Sequence, residues 1–152
     1  MKYDDAEFHD PNGNLEEKFA AAHIALFLRW CVERNLVSDF LKEESGAELE
    51  NARTGAITYT EFLLSQSDGK LVDEDLSEEG NRFAAAYYDD YLREYSTTCG
   101  FPNYSRTEAQ HDYAAISALL DRRFAEFQAG TLTPLKKKSP WCQFWKKGWA
   151  PR

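Results

Sequence analysis

Histidines, cysteines and carboxylates carry most of the reactive chemistry open to a chain like this one, and their spacing decides which kind. His9, His23 and His111 stand far apart, and no pair has metal-ligand spacing. Cys31, Cys99 and Cys142 include no Cys-x-x-Cys. The sequence therefore predicts no metal and no cofactor. His23 lies on an apolar helical stripe, where a hydrogen-bonded core histidine is expected. Cys31, eight residues on, shares a related face, but two potential ligands do not make a site. There is no Gly-rich phosphate loop and no nucleophile elbow. No catalytic residue is assigned, and the chain reads as a binding protein, not an enzyme.

Asp68, Asp73, Glu74, Asp75, Glu78 and Glu79 crowd one short stretch. A calcium loop needs alternating oxygen ligands around a glycine and a closing glutamate. Here Gly69 directly follows Asp68 and the alternation is missing. The stretch reads either as a solvated connector or as a patch that steers a basic protein. Asp89 and Asp90 lie beside a tyrosine-rich face, with Glu94 shortly after. Paired carboxylates do acid–base work only when one is buried with a raised pKa, so solvated charges are expected here. Phe83, Tyr87, Tyr91 and Tyr95 recur every four residues, with Tyr88 alongside. They form either a partner-gripping face or a core face whose hydroxyls reach the surface. The candidate partner-binding set is thus Asp68, Asp73, Glu74, Asp75, Glu78, Glu79, Tyr87, Tyr88, Asp89, Asp90 and Tyr91.

Trp141, Trp145 and Trp149 recur every four residues behind a lysine run, with Phe144 beside them. Residues 131–152 carry six basic and no acidic side chains, whereas residues 1–130 carry 12 basic and 26 acidic ones, a net of −14. Lysine with tryptophan suits an anionic membrane surface. Rings between cations suit single-stranded nucleic acid. The charge asymmetry favours a third reading, in which the three tryptophans fold back and pack on the acidic body. That body repels phosphate backbones, so direct nucleic-acid binding is not expected.

These residues need a scaffold, and 152 residues suffice for one domain. Residues 1–130 read as an acidic helical domain and 131–152 as a basic Trp-rich tail. The fold class is all-α: a compact bundle with three long helices and several short ones. Residues 3–14 read as an irregular lead-in. Apolar periodicity predicts a helix from Leu15 to about Asn35, capped by Asn14 and buried on most sides. Short helices are expected over Leu36–Glu43 and Ala47–Arg53, then a brief extended piece at 56–59. A helix through Phe62–Leu64, capped by Thr58 or Thr60, follows and ends at Ser67-Asp68-Gly69. Asp73–Leu76 reads as a solvated connector. Ser77 opens a long helix that stops near Cys99, and Thr107 caps the last one, which ends at Gly130. No signal peptide is visible and no apolar run is long enough to span a membrane. The odd, scattered cysteines point to a reducing, cytoplasmic setting.

Tyr3-Asp4-Asp5-Ala6, the run His23 to Cys31, and Gly69 to Asn81 continuing through Ala86-Tyr87-Tyr88 carry a resemblance. Over roughly residues 3–95 the chain resembles a family of small acidic bacterial proteins known mainly as a domain of unknown function. Members are similar in size and charge to immunity proteins that neutralise antibacterial toxins. The resemblance implies a bacterial, cytoplasmic protein and points towards immunity. The expected function is therefore binding of a basic protein, a cognate toxin such as a nuclease. The alternatives are a ligand-binding protein or enzyme with a pocket between the first and tyrosine-rich helices, using His23 and Asp89 or Asp90, and a peripheral membrane or assembly factor acting through the tail.

Overall fold

A computed structural model describes residues 1–99, 104 and 106–135. The chain is mostly helical and forms one compact domain. Its elements are β1 (Lys2–Asp5), α1 (Glu17–Glu33), α2 (Asp39–Glu44), α3 (Gly46–Thr54), α4 (Tyr59–Gln66), β2 (Lys70–Val72), α5 (Glu78–Cys99) and α6 (Tyr113–Gln128). Short 3-10 turns occupy Ala6–His9, Asp73–Asp75 and Glu108–Gln110.

Helix α1 is the hub. From Ala20 to Cys31 only Arg29 escapes burial, because α4, α5, α6 and the β1 segment surround it. Four alanines in that run keep the helix thin enough for neighbours to approach. Its start differs from expectation: Asn14 does not cap it, and Glu16 at the boundary makes no side-chain cap bond. The Asp10 carboxylate accepts the Asn14 and Leu15 N–H groups instead, at 3.0 and 3.1 Å. At the other end Asn35 adopts φ +56°, which lets Leu36 N–H return to the Cys31 carbonyl at 2.8 Å.

Helix α5 lays Phe83, Ala84, Tyr87, Tyr88, Tyr91 and Tyr95 inward. Phe83 stacks on Tyr87 and meets Phe27, Trp30, Phe124 and Phe127, so α1, α5 and α6 share one aromatic core. Gly80 is what lets α5 start close to the chain: a Cβ there would sit 2.4 Å from the Leu36 carbonyl oxygen. Helix α4 carries a full capping box between Thr58 and Glu61. Buried Glu108 adds a second cap, accepting Tyr59 N–H, Thr60 N–H and the Thr60 hydroxyl at 3.2, 2.7 and 2.9 Å. Thr107 precedes the 3-10 turn, its N–H donating to Gln110 Oε1 at 2.9 Å, and α6 begins later than expected, with the Asp112 carboxylate accepting Ala115 N–H.

The all-α expectation needs one correction. β1 and β2 pair antiparallel, Lys2 with Val72, Asp4 with Leu71 and Asp5 with Lys70, with an irregularity after Lys2. The lead-in is thus a strand at its start. Lys2-Tyr3-Asp4-Asp5 has no apolar alternation, so nothing local announces it. The turn from α4 into β2 uses φ +52° at Asp68 and +71° at Gly69, and the Gly69 carbonyl accepts Ala6 N–H at 2.9 Å. The 56–59 piece is not a strand, and Gly55 at φ +82° closes α3 there. Nor is 73–76 a solvated connector throughout. Asp75 is buried and accepts Val72 N–H at 2.9 Å, and buried Leu76 bridges to Val37.

Candidate functional site

Pairing of β1 with β2 turns Asp4 inward against α1 and α5. Asp5 then caps the following 3-10 turn by accepting Glu7 N–H at 3.1 Å, which swings His9 back towards α1. His23 meets it from the buried face of α1. Three residues scattered along the sequence thereby converge. His9 Nε2 lies 2.8 Å from Asp4 Oδ1, His23 Nε2 lies 3.0 Å from Asp4 Oδ2, and the two Nε2 atoms are 3.0 Å apart. The histidines, isolated in sequence, form an edge-on pair with ring centroids 4.2 Å apart.

An outer ring holds these groups in place. Tyr88 donates its hydroxyl to Asp4 Oδ2 at 2.8 Å, and Asp5 N–H donates to Asp4 Oδ1 at 2.8 Å. Tyr104 sits 2.8 Å from His9 Nδ1. Tyr91 donates to the His23 carbonyl at 2.7 Å. Tyr95 is 2.8 Å from His111 Nε2, and its ring packs beside His23. Asp4 and His23 are 3% and 2% exposed, while the His9 side chain keeps 15%.

Burial would raise the Asp4 pKa, but hydrogen bonds from His23 and His9 outweigh it and hold the carboxyl well below the usual range. Burial pushes His23 down, against the Asp4 hydrogen bond that favours its charged form. Burial, helped by the Asp4 charge, raises Tyr104 to about 12, and the same causes raise Tyr88. The centre is thus a carboxylate flanked by imidazoles, with tyrosine hydroxyls that stay protonated. Among the described residues, Asp4, His9 and His23 are the group whose donor atoms are close enough to share a metal ion. Cys31 is not in it; burial raises its thiol well above the ordinary range.

The residues singled out from sequence are distributed differently. Tyr87, Tyr88 and Tyr91 are buried, and their hydroxyls end on Glu94, Asp4 and the His23 carbonyl rather than on the surface. Asp75 is buried, and Asp90 accepts Leu135 N–H at 3.1 Å. Asp73 takes the Met1 amine at 2.8 Å, and Glu79 accepts from Gln128 at 3.2 Å. Glu74, Glu78 and Asp89 are exposed, and Asp68 is exposed beside Lys70 at 2.6 Å. Beside this stretch lies a shallow depression lined by Phe40, Leu64, Asp68, Lys70 and Glu74, in which Phe40 is 55% exposed. A larger groove runs between α1, α3 and α4, past Arg29, Glu33, Arg53, Tyr59 and Glu108. Neither is lined by His23, Asp89 or Asp90. Trp141, Trp145 and Trp149 lie outside the described residues, and no described helix is long and apolar enough to cross a membrane.

From the sequence Asp4 is not singled out as a site residue, and His9 reads as isolated. Local spacing offers no signal for them, since five and fourteen residues separate the three positions on three different elements. The one pointer was indirect: Asp4 and His23 both sit in blocks that carry the family resemblance. No curated protein and no solved structure matches the chain. A family model described as a domain of unknown function matches residues 2–114, a span that contains Asp4, His9, His23, Tyr88, Tyr104 and His111. That match covers most of the chain, which therefore belongs to the DUF7832 family.

Proposed function

We propose that this is a non-enzymatic bacterial cytoplasmic protein that binds a basic protein partner, in the manner of an immunity protein neutralising a toxin. The observation that carries this reading is the depression at Phe40. It joins an exposed aromatic ring to Asp68 and Glu74 on a body whose first 130 residues have a net charge of −14. Exposed carboxylates steer a basic partner and fix its orientation. A central ring supplies the desolvated contact that carboxylates alone do not. With Tyr87, Tyr88 and Tyr91 committed to the core, Phe40 takes the anchoring part, and Asp68 and Glu74 supply the charge at the depression beside Lys70, while Glu78 and Asp89 are exposed on α5. A toxin that grips nucleic acid is basic for the sake of the phosphates, so an acidic surface can occupy its substrate site.

The test is co-expression with the product of the adjacent gene. Wild type should rescue growth and co-purify, while Phe40→Ala combined with Glu74→Lys should do neither although it folds normally. Failure of wild type to rescue or to co-purify would overturn the immunity reading. Undiminished binding by the double variant would overturn the placement of the surface.

A further inference from the structure

The Asp4, His9 and His23 cluster has no part in that docking surface, and it is the most organised polar constellation among the described residues. We propose that these three side chains bind a divalent transition-metal ion, which clamps the β1 segment to α1.

The donor positions fit such an ion. Metal–ligand bonds of about 2.1 Å place neighbouring donors about 3.0 Å apart at the right angles of an octahedral shell and about 3.4 Å apart in a tetrahedral one. The three measured separations are 2.8, 3.0 and 3.0 Å. The carboxylate offers Oδ1 on the His9 side and Oδ2 on the His23 side, so it can bind through either oxygen or both.

The hydrogen-bond inventory points the same way. Each neutral imidazole carries one N–H. If both Nε2 atoms are protonated, two N–H groups face each other at 3.0 Å. If one is bare, its lone pair faces an anionic oxygen. A cation at the centre removes the conflict. A metal ion lets both Nε2 lone pairs converge on it and neutralises the buried carboxylate.

The surrounding bonds are those that orient metal ligands. His9 keeps Nδ1–H for the Tyr104 oxygen at 2.8 Å, and Tyr88 donates to the ligating carboxylate at 2.8 Å. Two imidazoles with one carboxylate select zinc, cobalt or iron over calcium and magnesium, which prefer all-oxygen shells. The 15% exposure of His9 marks the side from which an ion enters and from which water or a fourth ligand completes the shell.

Zinc and cobalt(II) are the probes. Chelator-stripped full-length protein should bind one equivalent of zinc by calorimetry and unfold at a higher temperature with it. In the wild type, zinc should move the Nε2 resonances of His9 and His23 in imidazole nitrogen NMR and leave those of His111 in place. His9→Ala, at the exposed edge, should stay folded by circular dichroism and lose at least about a hundredfold in affinity, as expected for a ligand rather than an orienting residue. Absence of binding by either probe would overturn the proposal, as would zinc-induced shifts confined to His111 or unchanged affinity in a folded His9→Ala. None of these results depends on the partner protein, so the site and the docking surface stand or fall separately.

Discussion

Replacing Asp4 with asparagine isolates the electrostatic centre of the fold, because the side-chain volume is nearly conserved and no cavity forms. Four polar groups converge on the carboxylate, the Asp5 N–H and the Tyr88 hydroxyl as donors and the two histidines through Nε2. Asp5 N–H and His9 meet Oδ1, each at 2.8 Å; Tyr88 and His23 meet Oδ2 at 2.8 and 3.0 Å. Whichever oxygen becomes an amide nitrogen, one fixed donor (Asp5 N–H or Tyr88 O–H) loses its acceptor, and the imidazole at that oxygen meets an amide N–H. Each buried group left unpaired costs about 1–3 kcal/mol. One imidazole can change tautomer and accept from the new amide, which recovers one contact. The expected loss is therefore about 1–3 kcal/mol. At this chain length that lowers Tm by about 3–10 °C. The assay is urea and thermal unfolding at neutral pH with chelator present, so that the network alone is measured. Asp68→Asn serves as the control: it removes an exposed ion pair with Lys70 and should leave the midpoint where it is. A loss below about 1 kcal/mol for Asp4→Asn would refute the claim that this carboxylate holds the network together.

Two further substitutions probe the same packing. Gly80→Ala should destabilise by about 1–3 kcal/mol, since the new Cβ meets the Leu36 carbonyl at 2.4 Å. Helix propensity alone predicts a gain of about 1 kcal/mol, so the sign of the urea-midpoint shift decides between them. Burial, the Arg106 charge and neighbouring His23 lower the His111 pKa to about 4. The unfolded chain then binds more protons between about pH 6.5 and 4. Stability from this group is complete above that window and falls as the solution is acidified, by on the order of 3 kcal/mol at most. His111→Gln should flatten that part of the pH–stability curve, and an unchanged slope would show that His111 is not its source.

The sequence by itself determined the helices. Apolar residues at helical spacing marked α1, α5 and α6, and α1's near-continuous apolar run identified the buried hub. A short polar signal marked the start of one smaller helix, Thr58 at α4, whereas Ser38 accepting Leu41 N–H at 3.0 Å and Gly55 closing α3 are read from the structure. Those are local effects, in which a side chain acts on a backbone group a few residues away. Charge arithmetic was equally legible, because it requires no coordinates. Tertiary structure alone decided what each polar residue is for. Tyr88 looks the same in sequence whether its hydroxyl meets water or Asp4, and the difference depends on a strand 84 residues earlier. Lys2-Tyr3-Asp4-Asp5 becomes β1 only because β2 offers it a partner. The same pairing turns Asp4 into the fold and brings His9 to His23. A site built from a strand, a 3-10 turn and a helix has no spacing of its own, since the distances that matter are set by packing between elements and not by positions along the chain.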